Sequence, residues 1–465
     1  MVSACACGLG MVHWSGRPAS LCLAFGEPPS KCQLSFGSPL DSISRKNPRG
    51  VGMKIVLFGQ FGCGNTGNDG SLKAMADLLR DARPDAEIIC ACPNPANVES
   101  DLGIPSIGTS RPVMTGRVAA LLNRILLRVP GRMVRLLDPI RQLRGADMVL
   151  VPGTGFLDDF QEIPRGWPLM ILRWCLAARL VGARLAFVSI GAGPIRHPMS
   201  RFFLTTAARL CHYRSYRDIQ SRDFMVELGI GRGTDQVCPD LAFALAPPPA
   251  KPRPVRDALA VGVGVMSYSG WVNRGPDSEE IYDLYMGKIV SFIGWLLEKG
   301  HDVRLLTGDI MDQRAVWHAL ERLQATLSPE LTSALIVEPT TTLFELMRQI
   351  ALTDVVVASR FHNVVCAIKL KRPLISLGYA EKNEALLRQI GLYGFSQHIE
   401  HFDLDLLKQQ FMRASAERVE IADRMAIVTS GYMKRLIAQR DAVLELLPSP
   451  PERKVELAPR AHSSR

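Results

Sequence analysis

The alternation of apolar and amphipathic stretches along the chain predicts an α/β fold. Short apolar runs, typical of strands that are buried on both faces, occur at residues 53–59, 86–92, 147–151, 184–190 and 212–216. Amphipathic stretches such as residues 71–80 and 167–180 lie between them and predict helices. This order is typical of a doubly wound parallel sheet that is covered by helices on both faces.

The same alternation starts again after a Pro-rich segment. Residues 246–257 read APPPAKPRPVRD, which neither a helix nor a central strand tolerates. After it, helical stretches occur at 279–298 and 342–351, and strand-like runs occur at 259–266, 302–307, 334–337, 354–358 and 373–377. The predicted fold class is therefore α/β, with two doubly wound Rossmann-like domains that face a cleft, followed by a C-terminal helical segment.

The pattern also predicts where the domains begin and end. Residues 53–245 form the N-terminal domain, 246–257 the linker and 258–400 the C-terminal domain. We expect residues 401–446 to form helices that brace the first domain, and residues 447–465 to be a disordered tail. Residues 1–52 have neither the helical nor the strand period, so we expect a disordered or spurious extension with Met53 as the biological start.

Composition excludes several classes of protein. The formal net charge is +10, but half of this excess comes from residues 1–52 and 447–465, so a basic face for nucleic acid is not expected. The cysteines lack metal-ligand spacing, which predicts reduced thiols in a cytoplasmic protein and no metal site. No run of 18 uncharged apolar residues is present, so a membrane span is not expected either.

One basic segment leaves two interpretations open. Residues 115–144 are apolar at helical spacing and rich in arginine. They could rest on the anionic inner face of a membrane as a peripheral contact. The alternative is a helix that covers the sheet and exposes a solvated basic face.

The first loop with candidate chemistry is Gly-rich. Residues 59–71, GQFGCGNTGNDGS, join a strand to a helix, and their glycines allow a ligand to approach the backbone. The loop lacks the GK[ST] of a phosphate-binding Walker loop and has no acid at the end of the next strand. Asn65 and Asp69 are candidate substrate-binding residues; the alternative is a tight turn capped by Asn68 or Asp69.

Two further strand ends carry candidate residues. In VLVPGTGFLDDF (149–160), Gly153, Thr154 and Gly155 form a turn that could bind substrate. One of the two acids that follow, at 158 and 159, could be a general base or accept a sugar hydroxyl, or both could be capping residues. Arg217 follows a strand directly, and its planar fork suits phosphate or carboxylate, with a local ion pair to Asp218 as the alternative.

The richest stretch is DVVVASRFHNVVCAIKLKRPLISLGYAEKNEALL (354–387). An apolar strand ends at Ala358. Ser359, a candidate substrate-binding residue, and Arg360 occupy the loop before an apolar helix, and His362 lies at the start of this helix. An arginine beside a helix N-terminus predicts an anion site, and His362 can give or take a proton near neutral pH. Lys382, on the loop after the next strand, could add charge to this site or be one solvated charge in a first turn.

In their order and spacing these segments resemble the polysaccharide pyruvyl transferases. The resemblance runs from about Met53 to Leu392. It rests on GNTGNDGSL, ADMVLVPGTGFL, LVGARLAFVSIGAGPI, RSYRDIQSRDFMVELGI, VCPDLAF and, above all, ASRFHNVVCAIKLKRPLISLGYAEKN. The chain departs from the family where Gly67-Asn68-Asp69 replaces the frequent Gly-Asp-Glu, and where Phe361 replaces leucine.

The resemblance implies an architecture and an activity. It implies a GT-B-like fold, with the acceptor on the N-terminal domain and the donor's phosphate on the C-terminal domain. The donor would be phosphoenolpyruvate as co-substrate, without a further cofactor. The acceptor would be a glycan or lipid-linked saccharide for a cell-surface or extracellular polysaccharide, ketalised on two hydroxyls. Arg217 and Arg360 would grip the donor phosphate, and His362 would transfer a proton.

Two other functions remain open at this point. A GT-B glycosyltransferase would use a nucleotide sugar, usually held by a Gly-rich loop in the second domain, whereas the corresponding SRFHN loop has no glycine. A binding or scaffold protein could use the same fold without catalysis, although the presence of Arg217, Arg360 and His362 argues against it.

Overall fold

The computed structural model describes residues 52–109, 137–160, 162–231, 235–249, 258–270 and 278–447. Several predictions therefore concern segments outside the described residues: the N-terminal extension up to residue 51, most of the basic segment 115–144, most of the linker and the tail from 448. None of the described helices is both long and apolar enough to cross a bilayer.

The first sheet is parallel throughout, because its strands are apolar on both faces and are connected by helices. Its order is β3-β2-β1-β4-β6-β7-β8, with β5 beside the end of β6. The strands are β1 (Lys54–Phe58), β2 (Glu87–Cys92), β3 (Ser106–Gly108), β4 (Met148–Pro152), β5 (Gly155–Leu157), β6 (Arg184–Ala192), β7 (Tyr213–Tyr216) and β8 (Gln236–Val237).

The helices of this first domain are α1 (Thr66–Ala82), α2 (Pro95–Leu102), α3 (Trp167–Leu180), α4 (Pro198–Arg209) and α5 (Ile219–Glu227). A turn of 3₁₀ helix, Leu241–Ala244, ends the domain. Helix α1 begins five residues before the predicted 71–80 stretch, because the side chain of Asn65 caps it by accepting a hydrogen bond from the N–H of Asn68 at 3.1 Å.

The second sheet repeats this design. Its order is β11-β10-β9-β12-β13-β14, again all parallel. The strands are β9 (Ala260–Gly264), β10 (Asp302–Leu306), β11 (Leu335–Val337), β12 (Val355–Ala358), β13 (Leu374–Gly378) and β14 (Ser396–His398). The helices are α6 (Ser278–Glu298), α7 (Gln313–Thr326), α8 (Pro329–Thr332), α9 (Leu343–Ala351), α10 (Phe361–Lys369) and α11 (Glu381–Gln389).

Each sheet reverses its strand order at one point, between β1 and β4 in the first sheet and between β9 and β12 in the second. At such a switch point the flanking loops leave in opposite directions and open a crevice at the carboxyl edge, where open α/β sheets bind ligands. The Gly-rich loop follows β1, Gly153 follows β4, and Arg360 follows β12. The candidate loops therefore lie where the fold creates crevices.

The two sheets are joined through α1. Buried apolar side chains of α1, α9 and α10 belong to one continuous cluster that extends from the first sheet into the second. Gly70 lets α1 approach α9 closely, since a Cβ at this position would overlap Leu343. The hydroxyl of Thr66 donates to the carbonyl of Gly308 in the other half at 2.8 Å. This packing brings the loops of the two carboxyl edges together.

The C-terminal segment, predicted as one helical stretch from 404 to 446, consists of α12 (Leu404–Ala416) and α13 (Arg418–Leu444). Helix α13 returns to the first sheet, where the buried amide of Gln439 donates to the hydroxyls of Ser189 and Ser215 at 3.0 and 2.7 Å. The predicted bracing of the first domain is confirmed for α13.

Candidate functional site

His362 lies in the first turn of α10, at the carboxyl edge of the second sheet. Its imidazole packs against the backbone of Gly67 at the start of α1, and a Cβ at Gly67 would overlap the ring. The side chain is 16% exposed, so one part of the ring remains accessible. The Gly-rich loop and the Arg-x-His loop, distant in sequence, thus meet at one histidine.

Asp240 is the partner of His362 that sequence analysis missed. Its Oδ2 lies 3.7 Å from His362 Nε2, and its Oδ1 accepts a hydrogen bond from the N–H of Ala242 at 2.9 Å. Burial works to raise the pKa of Asp240, but His362, Arg217 and the Ala242 N–H outweigh it and hold the pKa below its ordinary value. Asp240 therefore carries a buried negative charge beside the imidazole and is placed to orient the ring.

Arg217 follows β7 and points at the same carboxylate. Its Nη1 lies 3.9 Å from Asp240 Oδ2, and its guanidinium carbon lies 5.3 Å from the centre of the Phe361 ring. The local ion pair with Asp218 is also present, with Nε 3.5 Å from Oδ2. The guanidinium lies on Gly191, where a Cβ would be 2.6 Å from Nη2. The two interpretations of Arg217 are thus compatible with each other.

A bulge in β6 lies next to Gly191, the residue against which the Arg217 guanidinium packs. The register between β6 and β7 shifts between Phe187 and Ile190, and Ser189 has a left-handed φ of 49°. Such a conformation is costly for a residue other than glycine and persists where surrounding contacts impose it. Here the N–H of Ser189 donates to Ser215 at 2.9 Å, and its hydroxyl contacts Gln439.

Arg360 is committed to a buried partner. Its Nε and Nη2 donate to Asp312 Oδ2 and Oδ1 at 2.8 and 2.7 Å, in the bidentate geometry that suits guanidinium and carboxylate. Asp312 is fully buried. Tyr379 lies close to both arginines: burial raises the pKa of its hydroxyl, and Arg360 and Arg217 act in the opposite direction. Arg360 thus has a structural role through its ion pair with Asp312, and Tyr379 lies close to both Arg360 and Arg217.

Lys382 is a second group of the site, beside His362, that can change its charge near neutral pH. It lies in the first turn of α11, and its Nζ is 5.3 Å from the Phe361 ring and 5.6 Å from the Tyr379 ring. Burial and the positive charge of Arg217 lower its pKa to about 8, against the opposing influence of Asp158, Asp218 and Asp240. Lys382 is therefore charged at neutral pH and loses its charge just above it.

Asp158 and Asp159, the two acids that follow β5, have different environments. Asp159 uses both oxygens to accept hydrogen bonds from the N–H groups of Arg196 and His197, at 2.9 and 2.8 Å, and so fixes the neighbouring loop. Asp158 accepts from Phe160 N–H through Oδ1 only, at 3.1 Å. Burial raises the pKa of Asp158, partly offset by that N–H, Arg217 and Lys382. Asp158 is therefore the acid that faces the cations.

In the Gly-rich loop (59–71), the side chains of Asp69 and Asn65 make contacts within the loop and at the start of α1. Asp69 Oδ1 accepts a hydrogen bond from the N–H of Gly62 at 2.8 Å, and burial raises the pKa of Asp69 to about 6, with Asp101 adding to the shift. Asn65 is exposed and caps α1. These contacts give Asp69 and Asn65 roles in holding the loop, while Gly67 is the position of this loop that touches His362. Their role in substrate binding stays a prediction.

The remaining candidates form the backbone around the site. Gly153 has a φ of 28° and packs against Leu241, and the buried Thr154 accepts the N–H of Gly191 at 2.7 Å. Ser359 is buried, and its carbonyl accepts from the side chain of Asn383 at 3.2 Å. Gly155 alone among these candidates lines a cavity described below.

Two cavities share Arg217, Asp218 and Lys382 as a dividing wall. One, of about 280 Å³, is lined by glycine backbone and by Asp158. The other, of about 420 Å³, is lined largely by apolar and aromatic side chains, including Phe361 and Tyr432. A cationic pair between two cavities is suited to an anionic group that lies between two bound molecules.

Within the described part of the chain, one group of His, Cys, Asp and Glu side chains could hold a metal ion: His398, Glu400 and His401, whose ligand atoms all lie within 4.8 Å of one another. This group lies at the end of β14, whose last residue is His398, and includes none of the residues around His362.

Comparisons with known proteins agree with this architecture. The structure resembles the UDP-GlcNAc 2-epimerase from Methanocaldococcus jannaschii (TM-score 0.51, 12% identity, 77% of this chain and 91% of that one). It also resembles the Neisseria meningitidis UDP-GlcNAc 2-epimerase bound to UDP-GlcNAc, with a TM-score of 0.51 and 12% identity over 84% of this chain and 99% of that one. A glycosyltransferase from Rickettsia africae has a TM-score of 0.51 and 11% identity over 85% of this chain and 98% of that one. At these identities the likeness shows the fold, and the predicted GT-B-type architecture is confirmed.

Sequence comparison identifies the family. No curated protein matches the chain significantly. The sequence model of the family described as polysaccharide pyruvyl transferase matches residues 65–381, which include the second half of the Gly-rich loop, Arg217, Asp240, His362 and the first residue of α11. Because this match covers most of the chain, the protein belongs to the polysaccharide pyruvyl transferase family.

Proposed function

We propose that this transferase moves the pyruvyl group of phosphoenolpyruvate onto two hydroxyls of one sugar, forming a ketal and releasing phosphate. The acceptor belongs to a cell-surface or extracellular polysaccharide or to its lipid-linked precursor. The observation that carries the proposal is the meeting of Arg217 and Lys382 with a histidine that a buried carboxylate supports. Family membership supports the class of reaction.

The donor's charge fits the cations of the site. Phosphoenolpyruvate has a phosphate and a carboxylate, and Arg217 offers a planar fork while Lys382 offers a point charge. A hydrogen bond between such a cation and an anion contributes roughly 1.5 to 3 kcal/mol. Arg360, already paired with Asp312, supplies its remaining N–H groups and positions Tyr379.

The first chemical step needs an acid. Protonated His362 gives its proton to the methylene carbon of the enol, and C2 becomes electrophilic. A sugar hydroxyl then forms a bond to C2, and its proton passes through a base of the site to solvent. The negative charge of Asp240 stabilises the imidazolium before transfer. General acid catalysis of this kind typically contributes about 10² to 10⁴ in rate.

The second step releases phosphate. The bond between C2 and the phosphate oxygen breaks, a second hydroxyl of the same sugar bonds to C2 in its place, and the proton of this hydroxyl passes to the now neutral His362. The electron pair leaves with phosphate, whose charge Arg217 and Lys382 stabilise. One phosphoenolpyruvate and one sugar diol thus give one ketal and one inorganic phosphate, and the histidine returns to its protonated state.

Gly67→Ala is expected to lower the transfer rate about 100-fold without unfolding the protein. The added methyl group would overlap the His362 ring, which must then move from its place beside Asp240. Misplacing a catalytic group by about 1 Å can cost about 10²-fold in rate. Phosphate release from phosphoenolpyruvate and the melting temperature measure the two effects.

The matched control is Gly287→Ala in α6, where a Cβ would meet nothing within 4 Å. This variant should keep the wild-type rate. Equal rates in the two glycine variants would contradict the assigned position of His362.

Affinity for phosphoenolpyruvate should fall as pH rises through about 8, because Lys382 then loses its proton. The group is charged below this pH, so binding is strongest there. Lys382→Arg should remove this alkaline loss, since arginine stays protonated. Titration calorimetry with phosphoenolpyruvate on both sides of this pH measures the effect; an identical alkaline loss in Lys382→Arg would exclude Lys382 as its source.

The proposal is tested against the glycosyltransferase alternative by thermal-shift titration of the full chain with phosphoenolpyruvate and, in parallel, with UDP-GlcNAc. We expect stabilisation by phosphoenolpyruvate, because the cations and His362 suit this donor. Stabilisation by UDP-GlcNAc alone would instead favour a nucleotide-sugar enzyme on the same fold.

A further inference from the structure

The smaller cavity, of about 280 Å³, has an unusual wall. Gly155, Gly191 and Gly193 present backbone to it, while Asp158 and Lys382 project their side chains into its lining. Because three glycines lack side chains, a small polar ligand can approach the main chain directly. The volume is near the lower end of the roughly 300 to 1,000 Å³ of small-molecule sites.

The free space beside Gly155 faces an acid and a cation at once. The point that a Cβ would occupy at Gly155 lies 3.4 Å from Asp158 Oδ2 and 3.9 Å from Arg217 Nη2. The corresponding point at Gly193 lies 3.9 Å from the same Asp158 oxygen. An atom placed there can approach hydrogen-bonding distance of the carboxylate while it stays close to the guanidinium.

The other carboxylates of this region have different tasks. Both oxygens of Asp159 accept backbone N–H groups, and Asp218 caps α5 by accepting the N–H of Ser221 at 2.7 Å. Asp240 is deeply buried beside His362. Glu381 is exposed at the rim. Asp158 Oδ2 is therefore the carboxylate oxygen best placed to meet a ligand in this cavity.

We propose that the glycine-lined cavity binds the acceptor sugar and that Asp158 is the base that removes the proton of its attacking hydroxyl. This inference rests on the proposed function. As the hydroxyl oxygen forms its bond to C2 of phosphoenolpyruvate, its proton passes to Asp158 Oδ2, while His362 has delivered a proton to the methylene carbon. Asp158 then gives the proton to solvent, and Arg217 holds the donor's anion at the boundary of the cavity.

The electrostatics of Asp158 suit this task. Burial raises its pKa towards the working pH, against Phe160 N–H, Arg217 and Lys382, and a base is most effective when its pKa is near that pH. Asp159 adds repulsion, and Asp218 and Glu381 are the other titratable groups of the cavity lining. Asp240, with its lowered pKa, remains ionised and supports the acid, so the two carboxylates have opposite environments.

The test compares Asp158→Asn with Asp283→Asn in the full chain; Asp283 is an exposed residue of α6 that lines neither cavity. The probes are phosphoenolpyruvate and the methyl glycosides of glucose, galactose, mannose and N-acetylglucosamine, using the glycoside that the wild type converts fastest. We expect Asp158→Asn to lower phosphate release by about 10²- to 10⁴-fold. The phosphoenolpyruvate-induced thermal shift should remain, and the fall in kcat/KM at low pH should disappear. Asp283→Asn should behave like the wild type.

The possible outcomes distinguish a failure of the role of Asp158 from a failure of the proposed function. A wild-type rate and an unchanged acid limb in Asp158→Asn would overturn the role of Asp158 while the proposed function stands. Loss of the phosphoenolpyruvate-induced shift in this variant would place Asp158 with the donor instead. A wild-type chain that neither responds to phosphoenolpyruvate nor releases phosphate with any glycoside would overturn the proposed function, and this inference with it.

Discussion

Replacing His362 with glutamine is expected to lower kcat for pyruvyl transfer by about 10²- to 10⁴-fold while phosphoenolpyruvate binding is retained. Glutamine keeps a polar side chain beside Gly67 but cannot deliver a proton to the methylene carbon. The Asp240 carboxylate, whose Oδ2 lies 3.7 Å from His362 Nε2 in the wild type, then lies beside a side chain that cannot act as an acid. Phosphate release measures kcat, and the thermal shift with phosphoenolpyruvate measures binding.

His401→Gln is the matched control, because His401 is 80% exposed and lies after β14, outside the cluster around Asp240. This variant should have the wild-type rate. A His362→Gln variant that turns over as fast as the control would show that another group protonates the donor.

Arg217→Ala is expected to weaken phosphoenolpyruvate binding by about 10- to 100-fold, since one or more charge-assisted bonds of roughly 1.5 to 3 kcal/mol are lost. The reason lies in its position: the guanidinium lies on Gly191, near Asp240, in the wall between the two cavities. Titration calorimetry with phosphoenolpyruvate measures the change in Kd directly.

Arg388→Ala provides the comparison for Arg217→Ala. Arg388 lies on α11 but is 65% exposed and paired with Glu384, so its loss should leave Kd unchanged. Unchanged binding in Arg217→Ala, with a folded protein, would move the donor site away from the cavity wall.

Much of the fold follows from sequence because strands buried on both faces produce runs such as MVLVP and VVVA that no exposed element would carry. The positions of Arg217, Arg360 and His362 were predictable for a related reason. Parallel strands bring their carboxyl ends to one edge, so residues directly after a strand converge there. The C-terminal break at Glu417 was not predicted, since the helical period continues across it.

The partners of these residues could not be predicted in the same way. Asp240 follows β8, a strand of two residues that is too short to produce an alternation, and only Pro239 beside it signalled a turn. Asp312 pairs with Arg360 across 48 positions of sequence, through the packing of two separate loops. Asp158 and Asp159 are neighbours with opposite tasks, which only the direction of each side chain distinguishes.

Transfer of a pyruvyl group from phosphoenolpyruvate to a sugar diol leaves a distinctive product, so product analysis decides the proposed function. The full chain would be incubated with phosphoenolpyruvate and the glycoside panel, and the products examined by mass spectrometry and NMR together with a phosphate assay. We expect a sugar that has gained one pyruvate minus one water, a ketal methyl singlet in the NMR spectrum, and one phosphate per product. Release of no phosphate with any acceptor, together with sugar transfer from UDP-GlcNAc, would contradict it.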